Sequence, residues 1–302
     1  VQPQDNIPNN TVLEINGKSY KILSQIGSGG FGSVYKSEVE GEHRALKFVK
    51  IFQNEKEKYN AYNKGEAETL LKLGDCPYVI KFYSFSTITI QNVECYVIET
   101  ELCQMSLIDL LKNECQRVKE QHHGIANEQL KEHFSEGYVN SIKKFIFQTM
   151  IALKHIHSLG FIHRDIKPEN ILIGFDGNVR IIDFGFCKKC AKTGTKVGTK
   201  FYVAPEVQEI NTQIANNQKY DNLVDSYSLG VTIFAMLAND FPFKQKRTQQ
   251  VIDAVNSGTF DKQAIPDETM RQIANMFLVK VEDRPSITQF LKEHSEIEDA
   301  FK

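Results

Sequence analysis

His163-Arg164-Asp165-Ile166-Lys167-Pro168-Glu169-Asn170, followed thirteen residues after that asparagine by Asp183-Phe184-Gly185, decides the fold. The two runs gather two acids, an amide and a lysine around what reads as one reaction centre. One loop cannot easily supply both a base beside an incoming hydroxyl and the oxygen ligands for metal ions. A loop, a short hairpin and a second turn can.

Towards the N-terminus, Gly27-Ser28-Gly29-Gly30-Phe31-Gly32-Ser33-Val34 fits GxGxxGxV. The same glycines in a Rossmann fold must open a helix, whereas Val34-Tyr35-Lys36 continues as a strand. The glycines therefore read as a hairpin whose backbone N–H groups can lie close over phosphates. Lys47 follows Gly32 by fifteen residues in Ala45-Leu46-Lys47, and its neighbours Leu46 and Phe48 would hold its stem in an apolar layer. The bland alternative is an edge-strand lysine kept for solubility. An inward ammonium needs an anion. Glu66 precedes Leu70 by four residues and Leu73 by seven, so it shares their helix face, while Glu68 points elsewhere.

HRDIKPEN with DFG is the catalytic-loop and metal-loop pair of the eukaryotic protein kinases, and the chain resembles that family from about Tyr20 to Leu291. Lys167, two residues after Asp165, and the run Val197-Gly198-Thr199-Lys200-Phe201-Tyr202-Val203-Ala204-Pro205-Glu206 resemble its serine/threonine class. Residues 1–10 read as a disordered leader. The resemblance implies an α+β, bilobal fold: a small β-rich N-lobe with one main helix at 11–102, and a larger, mostly helical C-lobe at 103–302. It implies transfer of the γ-phosphate of ATP to Ser/Thr hydroxyls of protein substrates, with Mg2+. Asp165 would be the base, Lys167 would neutralise the transferring group, Asn170 and Asp183 would hold the metal, and Lys47, paired with Glu66, the α/β-phosphates. Besides the glycine hairpin from Gly27 to Gly32, Val34, Ala45 and Leu172 would enclose the adenine, with Thr100 as gatekeeper and Glu101 to Cys103 as hinge. Thr199 would bond Asp165 and Lys167.

Thr195 stands where many members carry an activating phosphothreonine, with Thr193 the nearest competitor, and Arg164 and Lys188 at the matching cation positions. An upstream kinase or autophosphorylation would supply that phosphate. Asp225 resembles the acid that supports the catalytic loop, Glu206 and Arg284 a bracing pair, and Leu70, Phe82, His163 and Phe184 a stacked column. Every catalytic position is filled; a nucleotide-binding pseudokinase scaffold and a dual-specificity kinase are the alternatives. Ala235 and Leu107 replace acids often used for basic substrates, so no strong preference for upstream arginine is expected. Short stretches resemble several different subfamilies, and none is assigned.

Bulk properties agree with an ordinary globular chain. Of 302 residues, 41% are hydrophobic and 25% charged, and the net charge of −2 gives no reason to expect a polyanion-binding surface. Nucleic acid is therefore not an expected partner. Apolar runs such as Val231 to Ala238 are too short to cross a bilayer, so no membrane partner is expected. The polar opening Val-Gln-Pro-Gln-Asp-Asn, without Met, reads as a piece cut from a longer protein. Six cysteines without framework spacing fit reduced thiols and an intracellular, cytoplasmic or nuclear setting. Cys187-Lys188-Lys189-Cys190 reads as two ordinary loop thiols rather than a zinc or redox site.

Along the chain, strands are expected at 12–15 and 20–23 around an Asn16-Gly17-Lys18 turn, at 33–36 and 45–49 around Glu40 to Glu42, at 79–85, and at 95–100. A helix is expected over 54–73. Beyond residue 100 the pattern turns helical, with a helix starting in Ser106 to Leu111, a polar and partly exposed insertion at 112–137, and helices over 138–159 and 224–237. Arg284-Pro285-Ser286-Ile287 marks a last helix start, with Pro near the first turn.

Overall fold

The computed structural model describes residues 7–29, 32–51, 56–189, 201–209, 221–243 and 248–295, and within 56–64 the backbone only. The chain divides into two compact units, Val1–Gln104 and Met105–Lys302. The first is an antiparallel sheet with one helix and the second is mostly helical, which makes the class α+β.

The first unit begins with β1 (Val12–Ile15) and β2 (Lys18–Gly29), joined at Asn16 and Gly17, both with positive φ. Such left-handed pairs suit a two-residue hairpin because their twist matches that of the strands. β3 (Gly32–Val39) and β4 (Glu42–Lys50) form the second hairpin, and α1 (Lys56–Leu73) follows. β5 (Phe82–Ile90) and β6 (Val93–Glu101) complete a sheet of order β1-β2-β3-β4-β6-β5. Tyr20, Ile22, Tyr35, Leu46 and Val97 are buried on one side of it.

Two expectations are corrected here. The leader is not disordered to residue 10: Ile7 is buried in that cluster and its N–H donates to Tyr35 Oη at 3.1 Å. The strand expected at 79–85 instead starts at Phe82 and runs to Ile90, because Thr87 to Ile90 pair with β6 despite their polar alternation.

In the second unit, β7 (Met105–Ser106) leads into α2 (Leu107–Gln121), where Ser106 and Asp109 cap each other reciprocally. Residues 112–137 are polar and partly exposed as expected, and much of the segment is ordered as helix. α2 runs on to Gln121, a 3-10 turn spans Asn127–His133, and α3 (Glu136–Ser158) begins one residue after its cap Ser135. Buried Glu114 ties this segment together. It accepts from Arg117 Nε and Nη2 at 2.9 and 2.8 Å and from the Ser135 N–H at 2.6 Å. Burial alone would push the Glu114 carboxyl up, but the Arg117 and Ser135 hydrogen bonds outweigh it and hold it below the usual range.

β8 (Phe161–Ile162), β9 (Ile171–Ile173), β10 (Val179–Ile181) and β11 (Lys188–Lys189) make two small sheets, β10-β9-β7 and β11-β8. After α4 (Pro205–Glu209) comes α5 (Leu223–Ala238), buried from Val224 to Ala238. α7 (Glu268–Phe277) packs on α5, while α6 (Thr248–Ser257) contacts α4 and α8 (Ile287–Glu293) contacts α3. Gly230 lets α7 approach α5: a Cβ there would sit 2.9 Å from Phe277 Cβ. Pro285 stands just before the cap Ser286, near the first turn of α8 as expected. Among the described residues no helix is long and apolar enough to cross a membrane.

Candidate active site

In the first unit, β2 and β3 carry the glycine hairpin, and Gly29 pairs with Gly32. Gly32 has φ +122°, and a Cβ there would lie 2.1 Å from Phe48 O, so only glycine fits between β3 and β4. Val34 is the register partner of Lys47, and Ala45 that of Thr100. Lys47 Nζ donates to Glu66 Oε2 at 2.9 Å and Oε1 at 3.1 Å, with side chains 19% and 5% exposed. Leu70 and Leu73 are buried on the Glu66 face, while Glu68 faces outward beside Lys72. Glu101 at the end of β6 accepts from Lys81 N–H, and Cys103 is half-buried beyond it. Ser28 is exposed on the hairpin. Gly30 and Phe31 lie outside the described residues.

In the second unit, Lys167 Nζ and Asn170 Nδ2 both donate to Asp165 Oδ2, at 2.7 and 2.8 Å. Asn170 Nδ2 also reaches Asp165 O at 2.8 Å. With its nitrogen committed to Asp165, the amide offers its oxygen to a cation. Together with the carboxylate of Asp183 that is a hard-oxygen donor pair, which fits Mg2+ supplied with phosphate oxygens and water. Asp183 sits in the left-handed region at φ +64°, heading the 3-10 turn of Phe184 to Phe186. Its neighbour Phe184 is buried with its ring edge-on to His163 at 5.0 Å. His163 Nε2 donates to Ile182 O at 3.0 Å, which links the loop to the strand leading into Asp183.

The loop is held from α5. Asp225, fully buried, accepts from His163 N–H at 2.9 Å and Arg164 N–H at 2.8 Å, and its Oδ2 lies 2.8 Å from His157 Nε2. Burial would raise its pKa; the His157 hydrogen bond, the charges of His157 and His163 and the Arg164 amide outweigh that and keep it lowered. Arg164 is itself left-handed, at φ +71°, a conformation that persists only where its surroundings fix it. Its Nε donates to Phe186 O at 2.5 Å. Lys188 pairs by backbone register with Ile162, two residues before Arg164. Leu172 is half-buried on β9, opposite Ser106 and Arg180. Arg284 donates to Glu206 Oε1 at 2.6 Å, so that expected pair is present. Thr193, Thr195, Thr199 and Cys190 lie outside the described residues, and no disulfide joins the five described cysteines.

Two residues were missed in the sequence. His157 braces Asp225, yet nothing in a helix-period reading marks it, since its partner lies 68 residues away. Ile26, 50% exposed immediately before Gly27, is an apolar side chain left in water on the glycine hairpin. An apolar residue adjoining a glycine loop could have signalled it.

The model of the protein kinase domain matches residues 20–295. Mouse myosin-IIIa is 28% identical over 91% of this chain and 16% of its own length. The Arabidopsis thaliana serine/threonine-protein kinase TIO is 30% identical over 83% of this chain and 17% of its own. Yeast serine/threonine-protein kinase SKM1 is 26% identical over 92% and 43%. The chain thus spans less than half the length of each of these relatives. With the lysine–glutamate pair, the HRD and DFG turns and the matched domain all in place, the chain belongs to the protein kinase family.

Proposed function

We propose that the chain transfers the γ-phosphate of ATP to serine and threonine hydroxyls of protein substrates. The observation that carries this is the convergence of Lys167 and Asn170 on one oxygen of Asp165. Held and oriented by these two donors, the Asp165 carboxylate would receive or steer the proton of an attacking hydroxyl, a role worth on the order of 10²–10⁴ in rate. Lys167, already 2.7 Å from the base, carries the positive charge that a transferring phosphoryl group needs. Lys47, oriented by Glu66, holds α/β-phosphate oxygens as a point charge. In the first unit, Gly27, Ser28, Gly29 and Gly32 would present backbone N–H groups to the phosphates, and Ile26, Val34 and Ala45 apolar surface to the base. Asn170 and Asp183 would hold Mg2+, which neutralises phosphate charge when bound.

The regulatory reading is that phosphate on Thr195 pairs with Arg164 and Lys188 and activates the enzyme; a fully active Thr195→Ala variant and a fully active phosphate-free preparation would together refute it. The acceptor class is supported by Lys167 and by the serine/threonine kinases among the relatives. The test is Mg-ATP phosphorylation of a degenerate Ser/Thr/Tyr peptide library, with Asp183→Asn as blank. Label on serine and threonine, absent from the blank, is expected. An unlabelled library alongside an ATP-induced thermal shift would mean nucleotide binding without transfer.

A further inference from the structure

β5 carries one residue too many for its partner. Phe82 pairs with Thr100 and Ser84 with Glu99, so Tyr83 is left over as a bulge beside Thr100. A bulge interrupts the ladder that fixes register, and a slip of one residue would turn Thr100 off the face it shares with its partner Ala45. Leu46 and Glu99 pair one step along, so Glu99 stands on the opposite face of the sheet, with Leu46. That opposite face is mostly apolar, with Tyr20, Leu46, Phe48 and Val97 buried on it. Into it the chain sets a carboxylate and a guanidinium, Glu99 and Arg44, whose side chains are only 8% and 16% exposed.

Glu99 Oε2 accepts from Ser84 Oγ at 2.8 Å, the carboxylate also accepts from the Tyr20 hydroxyl, and Oε1 lies 3.6 Å from Arg44 Nε. Arg44 lays its guanidinium over the Tyr83 ring, 4.1 Å from the centroid, and Lys81 Nζ lies 5.3 Å from the same centroid. Arg44 Nη1 donates to His43 O at 3.1 Å, and Nη2 to Glu42 Oε2. On the other side of the bulge, the Lys81 N–H donates to Glu101 Oε1 at 2.8 Å and the Glu101 N–H to Lys81 O at 2.9 Å. The bulge is thus pinned three times: Ser84 by Glu99, Tyr83 by Arg44 and Lys81 by Glu101. Burying a carboxylate and a guanidinium costs about as much as their attraction returns, so such a cluster serves better to fix one arrangement than to add stability. We propose that Glu99, Arg44 and Tyr83 are positioning residues for the adenine end of the nucleotide. From the far face of the sheet they lock the β5 bulge and so hold Ala45, Thr100 and Glu101 to Cys103 in the arrangement that receives the base. This rests on the ATP reading and extends it.

Calorimetric binding of adenosine and of Mg-ATP to the whole chain, well below its melting temperature, tests it in the wild type, Glu99→Gln, Tyr83→Ala and Tyr83→Phe. Adenosine carries the base and ribose without phosphates, so it reads the adenine end alone. Glu99→Gln keeps the shape but sets a neutral amide against Arg44, and Tyr83→Ala removes the ring beneath the guanidinium. Each should weaken adenosine and ATP by the same factor, about three- to ten-fold. Tyr83→Phe keeps the ring and should bind both as the wild type does. In phosphorylation assays Glu99→Gln should raise KM for ATP by that factor at unchanged kcat, a split that a merely stabilising cluster would not produce. Adenosine affinities within about two-fold of wild type in both Glu99→Gln and Tyr83→Ala overturn the proposal, as does a Tyr83→Phe variant as weak as Tyr83→Ala. A wild type that binds neither adenosine nor ATP overturns the nucleotide reading beneath it, and the proposal with it.

Discussion

Asp225→Asn is the sharpest perturbation the second unit allows. The carboxylate serves three groups with two oxygens: Oδ1 takes the Arg164 N–H, and Oδ2 takes the His163 N–H and faces His157 Nε2. An asparagine has one acceptor oxygen. Placed at Oδ2, it turns its NH2 against the Arg164 N–H; placed at Oδ1, against the His163 N–H. Either way one buried backbone donor loses its partner, at about 1–3 kcal/mol. The surviving bonds also fall from charge-assisted to neutral strength, a loss of about 1 kcal/mol. Arg164 at φ +71° then loses part of what fixes it. The sum is about 2–4 kcal/mol.

Urea unfolding of the whole chain should show that loss as a lower midpoint at unchanged slope, and kcat should fall with the loosened loop. The pH dependence supplies a second readout. Folding lowers the pKa of Asp225. Its contribution is therefore complete above the unfolded value of about 3.9 and is lost as pH falls through the lower folded value. Wild-type stability should decline in that acid window, and the asparagine variant, with nothing to titrate there, should decline less. A variant within about 0.5 kcal/mol of wild type, a change small for a buried network, with the same acid slope, would refute the assignment of Asp225 as the support of the loop.

Two further perturbations address the first unit. Glu66→Gln keeps the shape of the side chain but removes the anion 2.9 Å from Lys47 Nζ; kcat/KM for ATP should drop about ten-fold or more, with activity as the readout, since a misplaced phosphate-holding group loses roughly that much. Gly32→Ala forces a Cβ against Phe48 O at φ +122°; about 2 kcal/mol or more of stability should be lost, with a weakened ATP-induced thermal shift, and an unchanged melting temperature would contradict the close approach of β3 and β4.

The elements that could be read from the chain were those whose signal is local. The Leu70 and Leu73 register singled out Glu66 over Glu68, and the structure joins Glu66 to Lys47. The Asn16-Gly17 turn and the alternation beyond it specify the first hairpin. What escaped depends on partners far along the chain. α2 buries Leu107, Leu111, Glu114 and Val118 on one face, a helical period interrupted by an acid, so 112–121 reads as polar. Its carboxylate is stable there only because Arg117 and the Ser135 amide meet it. Ile7 looks like part of a leader until Tyr35, 28 residues later, bonds its N–H.

α5 has no watery side from Val224 to Ala238, and its single ionised residue faces inward to the loop. Such a helix can recruit nothing by itself. It acts as a beam from which α3, through Tyr138 on Met236 O, and the Tyr202 segment, through Ser228, both hang. Change in this unit is thereby pushed outward: the beam tolerates little rewriting, while the exposed turns beyond its far end can diverge without disturbing what it carries.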